Sequence, residues 1–198
     1  MCTLPNVLTF FRILVIPFLV LIFYLPVSWA HAAAAVIFAL ASLTDWLDGY
    51  VARNFKLSTR LGAFLDPVAD KLMVSVVLIL IVGEPQFQFL SLSSAVYAVP
   101  IAIITVPAAI IVSREIIVSA LREWMAEIGK RTSVAVSRLG KIKTTIQMIS
   151  LTVLLYCDTA THVFVVIGGY TLLYVSAVLT VWSMIIYLKA AWPALKEV

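Results

Sequence analysis

Asp45, Asp48, Asp66 and Asp70 are four carboxylates set in segments that are otherwise largely apolar. An acid in an apolar helix is expensive to keep ionised, so such residues point to a functional site. Carboxylates this close cannot all hold their charge unless cations offset it. Oxygen-only donors select hard ions, Mg²⁺ or Mn²⁺, over zinc. Two such ions bridged by carboxylates would hold and activate phosphate groups. The competing reading is a structural network in which Arg53, Arg60, Lys71 and Arg114 neutralise the acids.

The surrounding composition says what must position them. Of 198 residues, 63% are hydrophobic and 12% charged, far from the balance of a soluble domain. Six apolar segments can be drawn, near 7–27, 29–50, 61–82, 98–121, 139–157 and 163–188. Each approaches the ~20 residues that cross a bilayer as a helix. The runs are continuously apolar and do not alternate, which argues against a β-barrel. The expectation is an all-α integral membrane protein, a six-transmembrane helical bundle forming a single domain over 1–198. The stretch 83–97 reads as a loop with an interfacial piece. No cleavable signal peptide is expected. Cys2 and Cys157 have no metal or redox spacing and read as unpaired thiols at segment ends.

With six spans, all 14 Lys and Arg fall on the side that carries both termini. The positive-inside rule then puts the termini and the aspartates at the cytoplasmic face. His31 and His162 fall on the far side and read as interfacial. Trp29, Tyr24, Tyr156, Trp192 and Tyr187 sit near span ends, as an aromatic belt requires. Pro17, Pro100 and Pro107 fall inside spans, where they would kink or open helices. Ala32–Ala35 and Gly168-Gly169 suit close helix packing.

The second and third spans form a hairpin joined by the short basic connector NFKLSTR. At 1.5 Å per residue, Asp48 and Asp66 each lie roughly 10 Å from the turn, so the four acids can meet at one depth. Asp45, Asp48, Gly49, Ala52 and Arg53 share a sector of about 140° on one helix. Gly62, Asp66 and Asp70 form an i, i+4, i+8 row on the other. Gly49, Ala52 and Gly62 keep the walls low for a bulky ligand, and Arg53 offers a planar fork for phosphate.

The run DWLDGYVARNFKLSTRLGAFLDPVAD spells D-x2-D-G-x2-A-R-x8-G-x3-D-x3-D from Asp45 to Asp70. This resembles, without a departure, the signature of the CDP-alcohol phosphatidyltransferases, which are six-span enzymes. The resemblance implies that an alcohol attacks the β-phosphate of a CDP-activated lipid and that CMP leaves. It implies that Asp45, Asp48, Asp66 and Asp70 bind a pair of Mg²⁺ or Mn²⁺ ions and that Asp70 is also the catalytic base. It implies CDP-diacylglycerol contacts from Gly49, Ala52, Arg53, Thr59 and Gly62, with Asn6, Thr9 and Arg12 as further nucleotide contacts. It also implies a homodimer.

The acceptor must be decided elsewhere. Residues 113–145 hold Arg114, Arg122, Lys130, Arg131, Arg138, Lys141 and Lys143. These could simply satisfy the positive-inside rule and touch anionic lipid, or some could clamp an acceptor phosphate. Arg114 favours the clamp, because it lies inside a span. The stretches LTFFRILVIPF, SREIIVSALREWMAE and GKIKTT resemble family members that use sn-glycerol 3-phosphate. That implies acceptor phosphate binding by Arg114, Lys141 and Arg122 in that order, with Lys143, Arg138 and Arg131 as weaker candidates and Glu115 orienting one of them. Expected partners are CDP-diacylglycerol, sn-glycerol 3-phosphate and membrane lipid, with no nucleic acid. The expected location is the bacterial cytoplasmic (inner) membrane. The alternatives are the same chemistry with serine, inositol phosphate or a second phospholipid as acceptor, and a cation transporter built on the four acids.

Overall fold

The computed structural model describes residues 4–55, 60–92, 95–129 and 138–196. Among these residues six helices follow one another: α1 (Leu4–Phe23), α2 (Ala30–Phe55), α3 (Arg60–Gly83), α4 (Ala102–Glu127), α5 (Arg138–Tyr156) and α6 (Val163–Leu195). Pro5 lies in the first turn of α1, where its missing N–H costs nothing. Helix α2 continues past the apolar run through GYVARNF, so its aspartates lie within a helix and not at its frayed end. Helix α4 stops at Gly129, whose φ of 72° lies in the left-handed region.

The connector between α3 and α4 differs from the expected loop. It holds a 3-10 turn, Pro85–Gln88, and two short antiparallel strands, β1 (Phe89–Leu92) and β2 (Ala95–Ala98), paired Phe89 with Ala98 and Leu92 with Ala95. Pro85 and Pro100 bracket this hairpin and keep either helix from extending into it. Pro100 thus precedes α4 and does not lie within a span, whereas Pro17 and Pro107 are inside helices. The buried Tyr170 hydroxyl donates to the Phe87 carbonyl at 2.9 Å, and the Gln86 amide donates to the Cys157 carbonyl at 2.8 Å. These bonds tie the connector to the α5–α6 end of the bundle.

Leu19, Phe38, Val77, Ile81, Ile111 and Leu151 belong to one core shared by α1 to α5, and α6 adds Leu173 and Ala177. The most extensive helix pair is α5 with α6. Gly169 permits it, since a Cβ there would stand 2.7 Å from a Leu154 methyl. Gly168 has open space, so only one of the paired glycines is a packing requirement. Ala34 and Ala35 are buried as the small-residue reading expects. Leu14, Phe18, Leu21, Ile79, Ile116, Val178 and Trp182 point outward and stay exposed, which suits a hydrocarbon surrounding. Among the described residues, α4 and the Val163–Pro193 part of α6 are long and apolar enough to cross a membrane, while Thr9–Phe23, Ala30–Asp45 and Ile142–Tyr156 are shorter apolar stretches.

Candidate active site

Three of the four aspartates meet, and α1 holds them together. Arg12 is buried, and its Nη1 donates to Asp45 Oδ1 at 2.6 Å and to Asp70 Oδ1 at 2.7 Å. Its Nη2 stands 4.0 Å from Asp66 Oδ1. Thr9, one helical turn away on the same face, donates its hydroxyl to Asp66 Oδ1. One guanidinium therefore spans carboxylates from α2 and α3, with charge-assisted bonds of the stronger kind. The hairpin geometry is as expected for Asp45, Asp66 and Asp70, while the Asp48 side chain lies outside the described residues.

Arg12 and Thr9, expected as nucleotide contacts, stand against the acids. The signal was present in the sequence: an arginine in the middle of LTFFRILVIPF has to find a carboxylate. Gly62 is buried on α3 beside the acids. Gly49, Ala52 and Arg53 belong to α2 and Asn6 to α1, but their side chains lie outside the described residues, as does all of Thr59.

A second polar centre lies among α4, α5 and α6. Glu115 Oε1 accepts from Lys143 Nζ at 2.6 Å and from Arg114 Nη1 at 2.9 Å. Arg114 Nη2 donates to Ser183 at 3.2 Å. Arg122 Nη2 donates to the Tyr187 hydroxyl at 3.1 Å. Arg114 and Lys143 are buried, so these are internal cations and not a solvated basic fringe. Lys143, ranked low from the sequence, is the more enclosed of the two at 0% exposure. Lys141 and Arg138 lie on the first turn of α5, with side chains outside the described residues; Lys130 and Arg131 lie outside them altogether.

Tyr187 overturns one expectation. Tyr24, Trp29, Tyr156 and Trp192 are exposed at helix ends, as belt residues are, but Tyr187 is only 3% exposed. Its ring lies 5.9 Å from the Arg114 guanidinium carbon and 5.1 Å from that of Arg122. It is a core residue of the basic centre.

The two centres are close in depth. Ser42 on α2 contacts the Met148 sulfur on α5 at 3.7 Å. In an alternating bundle α2 and α5 run in opposite directions. Asp45 follows Ser42 by three residues and Lys143 precedes Met148 by five, so both lie to the same side of that contact, within roughly 3 Å of common depth. A shallow apolar groove of about 340 Å³ on the outer face of α6, lined by Ile185, Leu188, Lys189 and Trp192, contains no acidic residue and is remote in character from this chemistry.

The donor set suits a hard cation in kind: carboxylate oxygens on two neighbouring helices, each side chain still 35–43% exposed after Arg12 has bound. Among the described residues, no three acidic, histidine or cysteine side chains form a complete metal-holding group. Arg12 already supplies one positive charge at the meeting point.

The acid hairpin clamped by α1, in a helical bundle with a lipid-suited exterior, is the arrangement of a membrane protein with an internal polar site. The family model for CDP-alcohol phosphatidyltransferase matches residues 2–186, and the chain belongs to that family. Its relatives include proteins named CDP-diacylglycerol–glycerol-3-phosphate 3-phosphatidyltransferase. Those of Escherichia coli (strain K12), Shigella sonnei (strain Ss046) and Shigella flexneri serotype 5b (strain 8401) are each 50% identical over 188 residues, covering 95% of this chain and 94% of the relative.

Proposed function

We propose that this chain transfers the phosphatidyl group of CDP-diacylglycerol to sn-glycerol 3-phosphate, producing phosphatidylglycerophosphate and CMP. The observation that carries this is the near end-to-end likeness to enzymes of that name, with the signature from Asp45 to Asp70 intact. In the reaction, the acceptor hydroxyl oxygen attacks the β-phosphorus of the CDP-lipid. The bond from that phosphorus to the bridging oxygen breaks, and CMP departs with the bond's electrons. Asp70 takes the hydroxyl proton. It is a weak base that acts through placement, which supplies much of the catalysis in phosphoryl transfer.

Asp45, Asp48, Asp66 and Asp70 are the residues that would hold Mg²⁺ or Mn²⁺. When bound, such ions would orient the diphosphate and offset charge on departing CMP. Arg12 and Thr9 fix the orientation of Asp45, Asp66 and Asp70 from the opposite helix. Gly49, Ala52, Arg53, Thr59 and Gly62 would receive the cytidine diphosphate. Arg114, Lys143 and Arg122 would receive the acceptor phosphate, joined by Lys141 and Arg138 from the start of α5. Burial of the first two cations supports this over lipid contact, because buried charge is costly without a purpose.

In the membrane we propose six spans with both termini and the aspartates on the cytoplasmic side of the bacterial inner membrane, and a homodimeric assembly. The basic residues support that orientation. Acyl chains would stay in the bilayer while the head group enters from the cytoplasm.

The test is CMP release by purified protein supplied with CDP-diacylglycerol, Mg²⁺ and a panel of acceptors. Release with sn-glycerol 3-phosphate, abolished by a chelator and restored by Mg²⁺, is expected. Turnover with serine but not with sn-glycerol 3-phosphate would overturn the acceptor assignment. Ion flux through liposomes without CDP-lipid, and no CMP release, would instead establish a transporter.

A further inference from the structure

We infer that Tyr187, together with Glu115, is a positioning residue that assembles Arg114, Lys143 and Arg122 into one receptor for the phosphomonoester of the acceptor. The inference deepens the proposed acceptor assignment and rests on it.

Three cations inside an apolar bundle repel one another and would separate unless something held them. Two groups do so. Glu115 uses a single oxygen, Oε1, to bind both Arg114 and Lys143, from the same helix and from the facing one. Tyr187 connects the two arginines. Arg114 and Arg122 are eight residues apart on α4, about 12 Å along the helix, so their guanidinium groups come together only if something draws the two side chains to one place. The Tyr187 ring on α6 is within reach of both, 5.9 Å from the Arg114 guanidinium carbon and 5.1 Å from that of Arg122. Both distances fall inside the range in which an aromatic face attracts a cation. The phenol oxygen also accepts a hydrogen bond from Arg122 at 3.1 Å. Ser183, one turn earlier on α6, takes the remaining Nη of Arg114.

The charge balance names the ligand class. Three cations against the one glutamate leave a net +2 for these four side chains. A phosphomonoester carries about −1.5 to −2 at neutral pH, so it complements this receptor. A zwitterionic or uncharged alcohol would leave the excess charge uncompensated.

The experiment is steady-state CMP release with sn-glycerol 3-phosphate varied at saturating CDP-diacylglycerol, for wild type, Tyr187→Leu, Tyr187→Phe and Glu115→Gln. Tyr187→Leu is expected to raise the acceptor KM about tenfold or more, the size of one desolvated cation–π contact. The CDP-diacylglycerol KM should stay within about twofold, since the carboxylate centre is separate. Tyr187→Phe keeps the ring and loses the oxygen, so its acceptor KM should rise less, and Glu115→Gln should raise it as well. Stabilisation of the protein by sn-glycerol 3-phosphate in thermal unfolding should weaken in the same order. An unchanged acceptor KM in folded Tyr187→Leu, or equal rises in both KM values, would overturn the inference. Should Tyr187→Leu not fold, Tyr187→Phe decides: an acceptor KM and stabilisation equal to wild type refute the Arg122 link. If wild type uses a different phosphomonoester alcohol, the proposed acceptor fails, and the Tyr187 inference is judged on that alcohol's KM. If only a phosphate-free alcohol is used, both fail.

Discussion

Replacing Arg12 with methionine keeps most of the volume of a buried side chain and removes a cation that bonds both Asp45 and Asp70. Each charge-assisted bond contributes about 1.5–3 kcal/mol, so the pair contributes at most about 3–6 kcal/mol. The carboxylates retain more than a third of their exposure, and water will re-solvate them once the guanidinium is gone. Halving the sum for that effect leaves a loss of about 1.5–3 kcal/mol. For a chain of this length each kcal/mol corresponds to roughly 2–4 °C, so the unfolding midpoint should fall by about 3–12 °C. Thermal unfolding of the detergent-solubilised protein reads this directly. Asp45→Asn completes a double-mutant cycle, in which contacting residues should couple by about 1 kcal/mol or more. Arg12→Lys should fall between, because an ammonium keeps the charge and loses the fork. A midpoint within a degree of wild type, or strictly additive losses, would refute the clamp. Unchanged stability with loss of CDP-diacylglycerol binding would return Arg12 to the direct nucleotide role first expected of it.

Three further outcomes follow from other parts of the chain. Asp70→Asn should retain CDP-diacylglycerol binding and lose turnover by about 10²-fold or more, the typical worth of a general base; near-wild-type CMP release would remove the base assignment. Gly169→Val should destabilise by about 1–3 kcal/mol through its clash with Leu154, measured as a lowered unfolding midpoint, whereas Gly168→Ala should be tolerated. In the α5–α6 connector, the Thr161 hydroxyl and the Ala160 amide donate to Asp158 at 2.7 and 3.0 Å, and the Thr161 bond first of all holds its carboxyl below the usual carboxylate range. A depressed folded pKa stabilises above the unfolded pKa and is lost as pH falls through the folded value. The Ala160 and Thr161 amides should therefore lose protection from hydrogen exchange only under strongly acidic conditions, and Asp158→Asn should abolish that dependence.

The hairpin was legible because its information is local. Asp45 and Asp70 lie on consecutive helices with a short connector, so helical periodicity alone brings their faces together. The six helices described begin within about four residues of where the apolar pattern puts them, and α2 runs about five residues past its apolar stretch, to Phe55. The β1–β2 hairpin was missed because FLSL and AVYA are too short for a period to register. The bonds of Arg12 to Asp45 and Asp70 were not legible, since which helix packs on which is a long-range fact. Tyr187 was misread for a related reason. Proximity to a span end matches an aromatic belt, and only the packing of α6 on α4 turns the ring inward.

The carboxylate and basic centres share a depth, and unconstrained they would collapse into direct salt bridges that extinguish both. In the described structure each centre is instead neutralised from within. Arg12, from α1, binds the aspartates, while Glu115, from α4, binds Arg114 and Lys143. Both neutralising partners leave a remainder: partly exposed carboxylates on one side and excess positive charge on the other. A negative centre and a positive centre held apart in this way can receive unlike ligands at the same level of the membrane. Under the proposed function, the acids would hold the metal ions and the diphosphate, and the cations would hold the anionic alcohol. The residues that keep the two apart should therefore matter to turnover as much as those that touch substrate.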